Sequence, residues 1–180
     1  MLLILLAILN TGCQTGGLDR TSKNPPESMY QLVVSDLAKK EPHDARFTGA
    51  EVWIAPKFAV GNSLIYSWGN DIDVNEELID ALAEASQKTG DFPATEQFGP
   101  NARVTEIESF HDLHYYCKHS KPVTARCLVQ FWRPGVSADG KRAIVRFRYG
   151  PSPHGAVGTY VLQYTDSGWR ICASTISYYV

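Results

Sequence analysis

The sequence lacks most of the features from which a function could be read directly. Its 17 basic and 19 acidic residues give a formal net charge of −2, so no surplus of positive charge is available to bind a nucleic-acid backbone. It contains no P-loop, no dinucleotide-binding glycine pattern and no G-x-S-x-G nucleophile elbow. After the first dozen residues, no apolar run is long enough to cross a bilayer. We therefore expect neither nucleic acid as a partner nor a cofactor, and we assign no catalytic residue.

The first residues differ in composition from the rest of the chain. An unbroken apolar run, Leu2 to Leu9, ends in small residues and a cysteine, which is typical of a secretory signal and too short for a transmembrane helix. Thr11-Gly12-Cys13 resembles the lipobox of bacterial lipoproteins, in which the cysteine is diacylated on sulfur and becomes the new N-terminus. The match departs from the family pattern at Asn10, and no Lys or Arg precedes the apolar run. The resemblance implies a signal peptide over 1–12 and lipidation of Cys13; an ordinary cleaved signal is the alternative.

A spacer follows the cysteine. The stretch GGLDRTSKNPPES, Gly16 to Ser28, is rich in Gly, Ser and Pro and carries mixed charge, which is the composition of a flexible tether. Residues 13–28 are thus predicted to be the lipidated N-terminus and its tether. Together with the lipobox-like motif, this predicts a protein of the bacterial cell envelope, lipid-anchored to a membrane, with its domain facing the periplasm or the exterior.

Residues 29–180 are predicted to form one domain, because the chain is long enough to bury a single core. Apolar side chains at helical spacing predict a helix from Glu27 to Glu41, after Pro25-Pro26. The stretch EVWIA, Glu51 to Ala55, predicts a short strand. A second helix is predicted from Val74 to Lys88, with Asp73 as its N-cap.

From Ala102 onward the apolar pattern has a period of two. Five strands are predicted: ARVTEIESF, CLVQFW, KRAIVRFRYG, TYVLQY and WRICASTISYY. Asp-Gly and Ser-Gly pairs at 139–140 and 167–168 predict hairpin turns. In the third strand Ile144, Arg146 and Arg148 share a face, which we expect to be at least partly solvated. The predicted fold is α+β, with two helices packed on one face of a mainly antiparallel, meander-type sheet.

The segment VSADGKRAIVRFRYGPSPHGAVGTYVLQYTDSGWRI is similar to a pattern in an uncharacterised family of exported bacterial proteins. The pattern is a turn with Asp-Gly, a strand, a glycine-containing loop, a Tyr-Val-Leu strand and a Gly-Trp turn. That family has no assigned activity, so the resemblance implies architecture and no catalytic residue. A looser likeness to NTF2-like folds implies helices against a curved sheet, an architecture that hosts both enzymes and binding proteins.

The stretch HDLHYYCKHSKPVTARC concentrates potential metal ligands and thiols. His111, His114, Cys117 and His119 do not follow a spacing typical of zinc sites, so metal binding is the less favoured hypothesis and surface histidines the simpler one. In an oxidising compartment Cys117 and Cys127 are the candidate disulfide. A pairing of Cys127 with Cys172 is less favoured.

Two further groups of charged residues have weaker signals. Glu106 and Glu108 would lie on one face of a strand, where an acid pair is possible in principle but a solvated face is the simpler interpretation. Arg146 and Arg148, with Arg133 and Arg170 nearby, could accept an anion.

The sequence therefore favours a non-catalytic binding or structural protein with a partner in the envelope. The alternative is a small-ligand-binding or enzymatic NTF2-like domain with a pocket between helices and sheet.

Overall fold

The computed structural model describes residues 28–40, 49–61, 72, 74–93, 96, 98–108, 125–150 and 156–178. This part of the chain folds into two helices and seven strands, which confirms the α+β class. In chain order they are α1 (Met29–Leu37), β1 (Glu51–Ile54), α2 (Glu76–Ala85), β2 (Ala102–Val104), β3 (Ala125–Phe131), β4 (Gly135–Val136), β5 (Arg142–Gly150), β6 (Ala156–Thr165) and β7 (Gly168–Tyr178). None of the helices in the described ranges is long and apolar enough to cross a membrane.

Both helices begin at residues whose side chains cap them. Ser28 accepts a hydrogen bond from the Gln31 N–H, and the Gln31 side chain accepts one from the Ser28 N–H, so a complete capping box starts α1. The side chain of Asn75 accepts from the Leu78 N–H and starts α2. The prediction of Asp73 as the cap of this helix is wrong, because Asn75 satisfies the first-turn amide instead.

The sheet is mixed. Its order is β2-β1-β3-β5-β6-β7, with β4 pairing β5 beside β3. The pairs of β1 with β2 and of β1 with β3 are parallel, and the other pairs are antiparallel. A meander order is therefore not confirmed for the sheet as a whole. The segment that joins β1 to β2 is long and contains α2, so the chain can return and run in the same direction.

The two helices lie on opposite faces of this sheet. Val33 and Leu37 of α1 belong to the main core cluster, together with Val145 and Phe147 of β5. Leu78 and Leu82 of α2 pack instead on Ile144. Because successive residues of a strand point to opposite faces, α1 and α2 cannot share a face. The expectation that both helices pack on one face is wrong.

The face of β5 that carries arginines is buried. Ile144 and Arg146 have no exposed surface, and Arg148 is half-buried. The expectation of a solvated face is therefore wrong for the middle of the strand. Helix α2 covers Ile144, and the Arg146 guanidinium donates from Nε to the hydroxyl of Thr159, itself fully buried, at 2.9 Å.

Both described hairpin turns form as predicted. Gly140 adopts φ +70° after Asp139 in the β4–β5 turn, and Gly168 adopts φ +109° after Ser167 in the β6–β7 turn. These positive values lie in the region that L side chains rarely adopt, which explains why glycine stands at each place.

Candidate functional site

A groove runs from α1, past residues 98–101, to the outer edge of β2. It consists of two neighbouring clefts of about 450 and about 750 Å³, and both are lined by Phe98 and Ala102. Val34 of α1 and Ala38, the residue that caps its C-terminus, form the opposite wall of the smaller cleft. We call the two clefts together the β2–α1 groove. Their volumes fall in the range of small-molecule and peptide sites, so the groove is the candidate functional site.

One side of the groove is built from aromatic rings. Phe92 and Phe98 stack with their centroids 6.1 Å apart, and Phe92 packs edge-on against Tyr30 at 4.8 Å. The ring of Phe131 in β3 also packs against Tyr30, with the two ring centroids 5.1 Å apart. Burial raises the pKa of the Tyr30 hydroxyl well above its usual value. These rings anchor Phe98 to the main core, so the wall that it forms is rigidly supported.

The wider end of the groove lies where the parallel strands β1 and β2 finish. Lys57 follows β1 and Glu108 follows β2, and the carboxyl ends of parallel strands lie at the same edge of a sheet. The Lys57 ammonium therefore meets the Glu108 carboxylate at 2.7 Å. This hydrogen bond raises the pKa of Lys57. Both side chains are largely exposed, so this ion pair contributes little to the stability of the fold. Its effect is to hold the two side chains in place at the rim of the groove.

Other charges at this end are partly neutralised. Arg103 lies 3.2 Å from the Glu51 carboxylate and stacks over the Trp53 ring, with 4.8 Å from the guanidinium carbon to the ring centroid. Asp91 and Glu96 also line the wider cleft. Within the described ranges neither of these two carboxylates forms an ion pair with a cation, and Glu96 accepts a hydrogen bond from the Ser28 hydroxyl. The side chains that line the wide end therefore carry a small excess of negative charge, with the carboxylates of Asp91, Glu96 and Glu108 against the cations of Lys57 and Arg103.

The two glutamates singled out in the sequence do not form an acid pair. Strand β2 ends at Val104, so Glu106 and Glu108 follow the strand and do not alternate along it. Glu108 lines the groove in its ion pair with Lys57, and Glu106 is exposed outside the residues that line it. Sequence reasoning missed Asp91, Glu96 and Phe98, because they lie in a segment with no periodic pattern.

A polar network ties the end of α1 to the sheet. The Tyr160 hydroxyl donates to Asp36 at 2.7 Å and accepts from the Lys40 ammonium at 2.9 Å, while Lys40 pairs with Asp36 at 3.0 Å. Burial, and then the hydrogen bond to Asp36, raise the pKa of Tyr160 strongly. A tyrosine held neutral in this way is a structural hydrogen-bond donor that positions α1 beside the groove.

Cys127, one of the two cysteines predicted to form a disulfide, lies in the core and forms no disulfide with another described cysteine. Cys127 is 1 % exposed in the core, and burial raises its pKa to about 12, although a hydrogen bond from Tyr149 acts in the opposite direction. No disulfide joins Cys127 to Cys172. Cys117 lies outside the described residues, so the Cys117–Cys127 disulfide stays a prediction.

We expect Cys127 to be protected from alkylation in the folded protein. In a variant whose other cysteines, Cys13, Cys117 and Cys172, are replaced by serine, iodoacetamide at about pH 8 should react with Cys127 at least about a thousandfold more slowly than in urea. The reason is that a buried thiol with a raised pKa needs an opening of the core before the thiolate can form. Labelling is followed by intact mass, and a native rate within about tenfold of the unfolded rate would show that this part of the core is open.

The arginines do not converge on a common point. Arg146 bonds Thr159, and Arg148 stacks over the Trp132 ring with its guanidinium carbon 5.4 Å from the centroid. Arg133 donates to the Thr89 carbonyl, and Arg170 donates to Gln163. The anion site therefore stays a prediction limited to Arg146 and Arg148, which share a face of β5.

The histidine-rich stretch cannot be placed in the fold. His111, His114, Cys117 and His119 lie outside the described residues, as do Cys13 and the predicted signal and tether. Among the residues that are described, no group of three His, Cys, Asp or Glu side chains could hold a metal ion. Comparison of the whole chain with protein-family models, with curated proteins and with solved structures found no match to any of them.

Proposed function

We propose that the chain is an exported, lipid-anchored protein of the bacterial cell envelope whose folded domain binds a partner there. The observation that carries the anchored location is the apolar run that ends at Thr11-Gly12-Cys13 and is followed by a Gly-, Ser- and Pro-rich spacer. The S-diacyl group that the lipobox implies has two chains, enough for stable attachment to a membrane.

The spacer is long enough to hold the domain clear of the lipid. When extended, residues 13–28 reach at most about 50 Å. The spacer joins the folded part at Ser28, and the hydroxyl of Ser28 bonds Glu96 at the wide end of the β2–α1 groove. The groove therefore lies close to the residue at which the spacer joins the domain. We propose that it meets partners within reach of the membrane surface.

The anchor is tested by intact mass. When the chain is produced in a bacterial host with its own N-terminus, we expect cleavage before Cys13 and a mass increase equal to two or three acyl chains and a glyceryl group. The protein should then fractionate with membranes, because two or more buried chains attach it stably. The Cys13→Ser variant is the matched control and should lose both the mass increase and the membrane fractionation. An unmodified wild-type chain that still begins at Met1 would contradict the proposal.

A second candidate function is a small-ligand-binding or enzymatic domain of NTF2-like character. It is favoured by the smaller cleft, which lies between α1 and residues 98–102 at the edge of the sheet and is large enough for a metabolite. The location agrees with a pocket between helix and sheet. The two candidates differ in the occupant of the groove: an extended peptide of a partner protein, or a compact small molecule.

A further inference from the structure

We propose that the β2–α1 groove binds an extended basic peptide segment of a partner protein, which adds to the outer edge of β2 as a further strand. This inference rests on the proposed binding function of the domain and is independent of the lipid anchor. It names the kind of partner and the backbone groups that hold it.

The first step is the direction of the backbone groups of β2. The Asn101 carbonyl accepts from the Val52 N–H, and the Thr105 N–H donates to the Ile54 carbonyl, so these residues face β1. Hydrogen-bonding direction alternates along a strand, so the N–H and C=O of Val104 point away from the sheet. In the described part of the chain, no backbone hydrogen bond engages either group of Val104. As far as the described residues are concerned, the edge of β2 is therefore available to a pairing strand at Val104.

The second step is the helix that faces this edge. Neighbouring strands lie about 4.8 Å apart, so a peptide paired with β2 at Val104 would lie in the wider cleft and reach the smaller cleft beside α1 past Ala102, which lines both. Val34 and Ala38 line the groove from the helix, and Phe98 and Ala102 line it from the sheet side. A groove between an edge strand and a helix suits peptide addition, because main-chain bonds supply affinity and side-chain pockets supply selectivity.

The third step is the apolar character of one side of the peptide. Alternate side chains of an added strand would point into the wider cleft, where they meet Phe98, Ala102 and Val104. Val104, which is 38 % exposed, is one of the larger apolar side chains at the surface of the described domain. A partner with apolar residues at alternate positions would bury this valine and the groove wall together.

The fourth step is charge. Lys57 and Arg103 are already in ion pairs with Glu108 and Glu51, so Asp91 and Glu96 are the two carboxylates of the wide end that form no ion pair among the described residues. A lysine or arginine of the peptide would form a charge-assisted hydrogen bond with them. The partner segment is therefore extended, apolar at alternate positions and basic at the end that reaches Asp91.

The test uses the full chain in detergent micelles and a fluorescein-labelled heptapeptide with valine at alternate positions and lysine between them. We expect saturable binding by fluorescence anisotropy. Val104→Pro removes the outward N–H without touching the β1 ladder and should weaken binding by about tenfold or more. The matched variant Val104→Thr keeps the amide and should stay within about threefold of wild type.

Further controls separate strand addition from simple attraction of a basic peptide. The same peptide with N-methylated backbone amides should lose binding, and this result does not depend on the folding of the proline variant. A peptide with glutamate in place of lysine should bind more weakly. Asp91→Asn should lower affinity for the lysine peptide, whereas Asp80→Asn, a change at an exposed site on α2, should not.

Three results would each overturn the inference. One is equal affinity of the proline and threonine variants for the peptide, and another is undiminished binding of the N-methylated peptide. The third is absence of peptide binding by a folded chain, whether it sediments as a monomer or as a dimer that occupies its own β2 edges. None of these results bears on the acylation of Cys13, so failure of the peptide inference and failure of the anchor are distinguished.

Discussion

Substitution of Gly135 by alanine should destabilise the domain by about 3 kcal/mol, because the added methyl group would overlap the backbone of α2. A Cβ atom at Gly135 would lie 2.5 Å from the Leu82 nitrogen, 2.8 Å from the Leu82 Cα and 2.9 Å from the Leu78 carbonyl oxygen. Helix backbone cannot move aside as a flexible side chain can. The whole helix would have to withdraw from β4, and Leu78 and Leu82 would lose their contact with Ile144.

The free energy of unfolding is measured by urea denaturation followed by circular dichroism. Gly99→Ala is the matched control, since no heavy atom lies within 4 Å of a Cβ built there and its φ is not in the left-handed region. We expect the control to stay within about 0.5 kcal/mol of wild type. A loss of stability at Gly135 no larger than that of the control would mean that α2 does not rest on β4.

The elements that the sequence predicts best are those determined by neighbouring residues. Strands β5, β6 and β7 pair with one another in chain order, and the alternation of their residues together with the turn glycines Gly140 and Gly168 suffices to locate them. Both helices are found by their apolar spacing, although their ends differ from the prediction by a few residues. The Ser28–Gln31 capping box is also a local signal, and it could have placed the start of α1 at Met29 from the sequence alone.

The features that could not be predicted depend on contacts between distant parts of the chain. The sequence ARVTEIESF alternates like a longer antiparallel strand, but of its described residues, 102–108, only Ala102–Val104 form a strand, in parallel with β1. The sequence of a helix likewise does not determine which face of the sheet the helix covers. Its apolar stripe shows only that one side of the helix is buried. The burial of Arg146 follows from this placement and from the fully buried Thr159 opposite it.

The candidate site was missed for the same reason. The β2–α1 groove is formed by α1, by the residues around Phe98 and by the outer edge of β2, which are brought together only by the parallel pairing. The local patterns that drew attention, the histidine–cysteine stretch and the alternating glutamates, are dense in reactive side chains. Neither pattern reveals an unpaired strand edge, which is a property of the backbone.

In the presence of a reductant, which keeps Cys127 as a thiol, the stability of the domain should fall steeply above about pH 9, because three buried acids keep their protons in the folded state. Burial raises the pKa of Tyr30, Tyr160 and Cys127, and each of these side chains is at most 8 % exposed. In the unfolded chain the thiol ionises near its ordinary pKa of 9.0 and the tyrosines near 10.0. The folded state thus binds more protons than the unfolded state above these values, and the free energy of unfolding decreases as pH rises.

Each proton kept by the folded chain and released by the unfolded one changes the free energy of unfolding by about 1.4 kcal/mol per pH unit. With all three groups, the slope should approach about 4 kcal/mol per pH unit above pH ~10, and the stabilisation is fully present below pH ~8. Urea midpoints between pH ~8 and ~11 measure this slope. Tyr160→Phe should lower the slope by the contribution of one proton, about 1.4 kcal/mol per pH unit. The control Tyr164→Phe, at an exposed position, should leave the slope unchanged. An equal slope in the two variants would mean that Tyr160 ionises in the folded state as readily as in water, and that its bond to Asp36 does not hold it neutral.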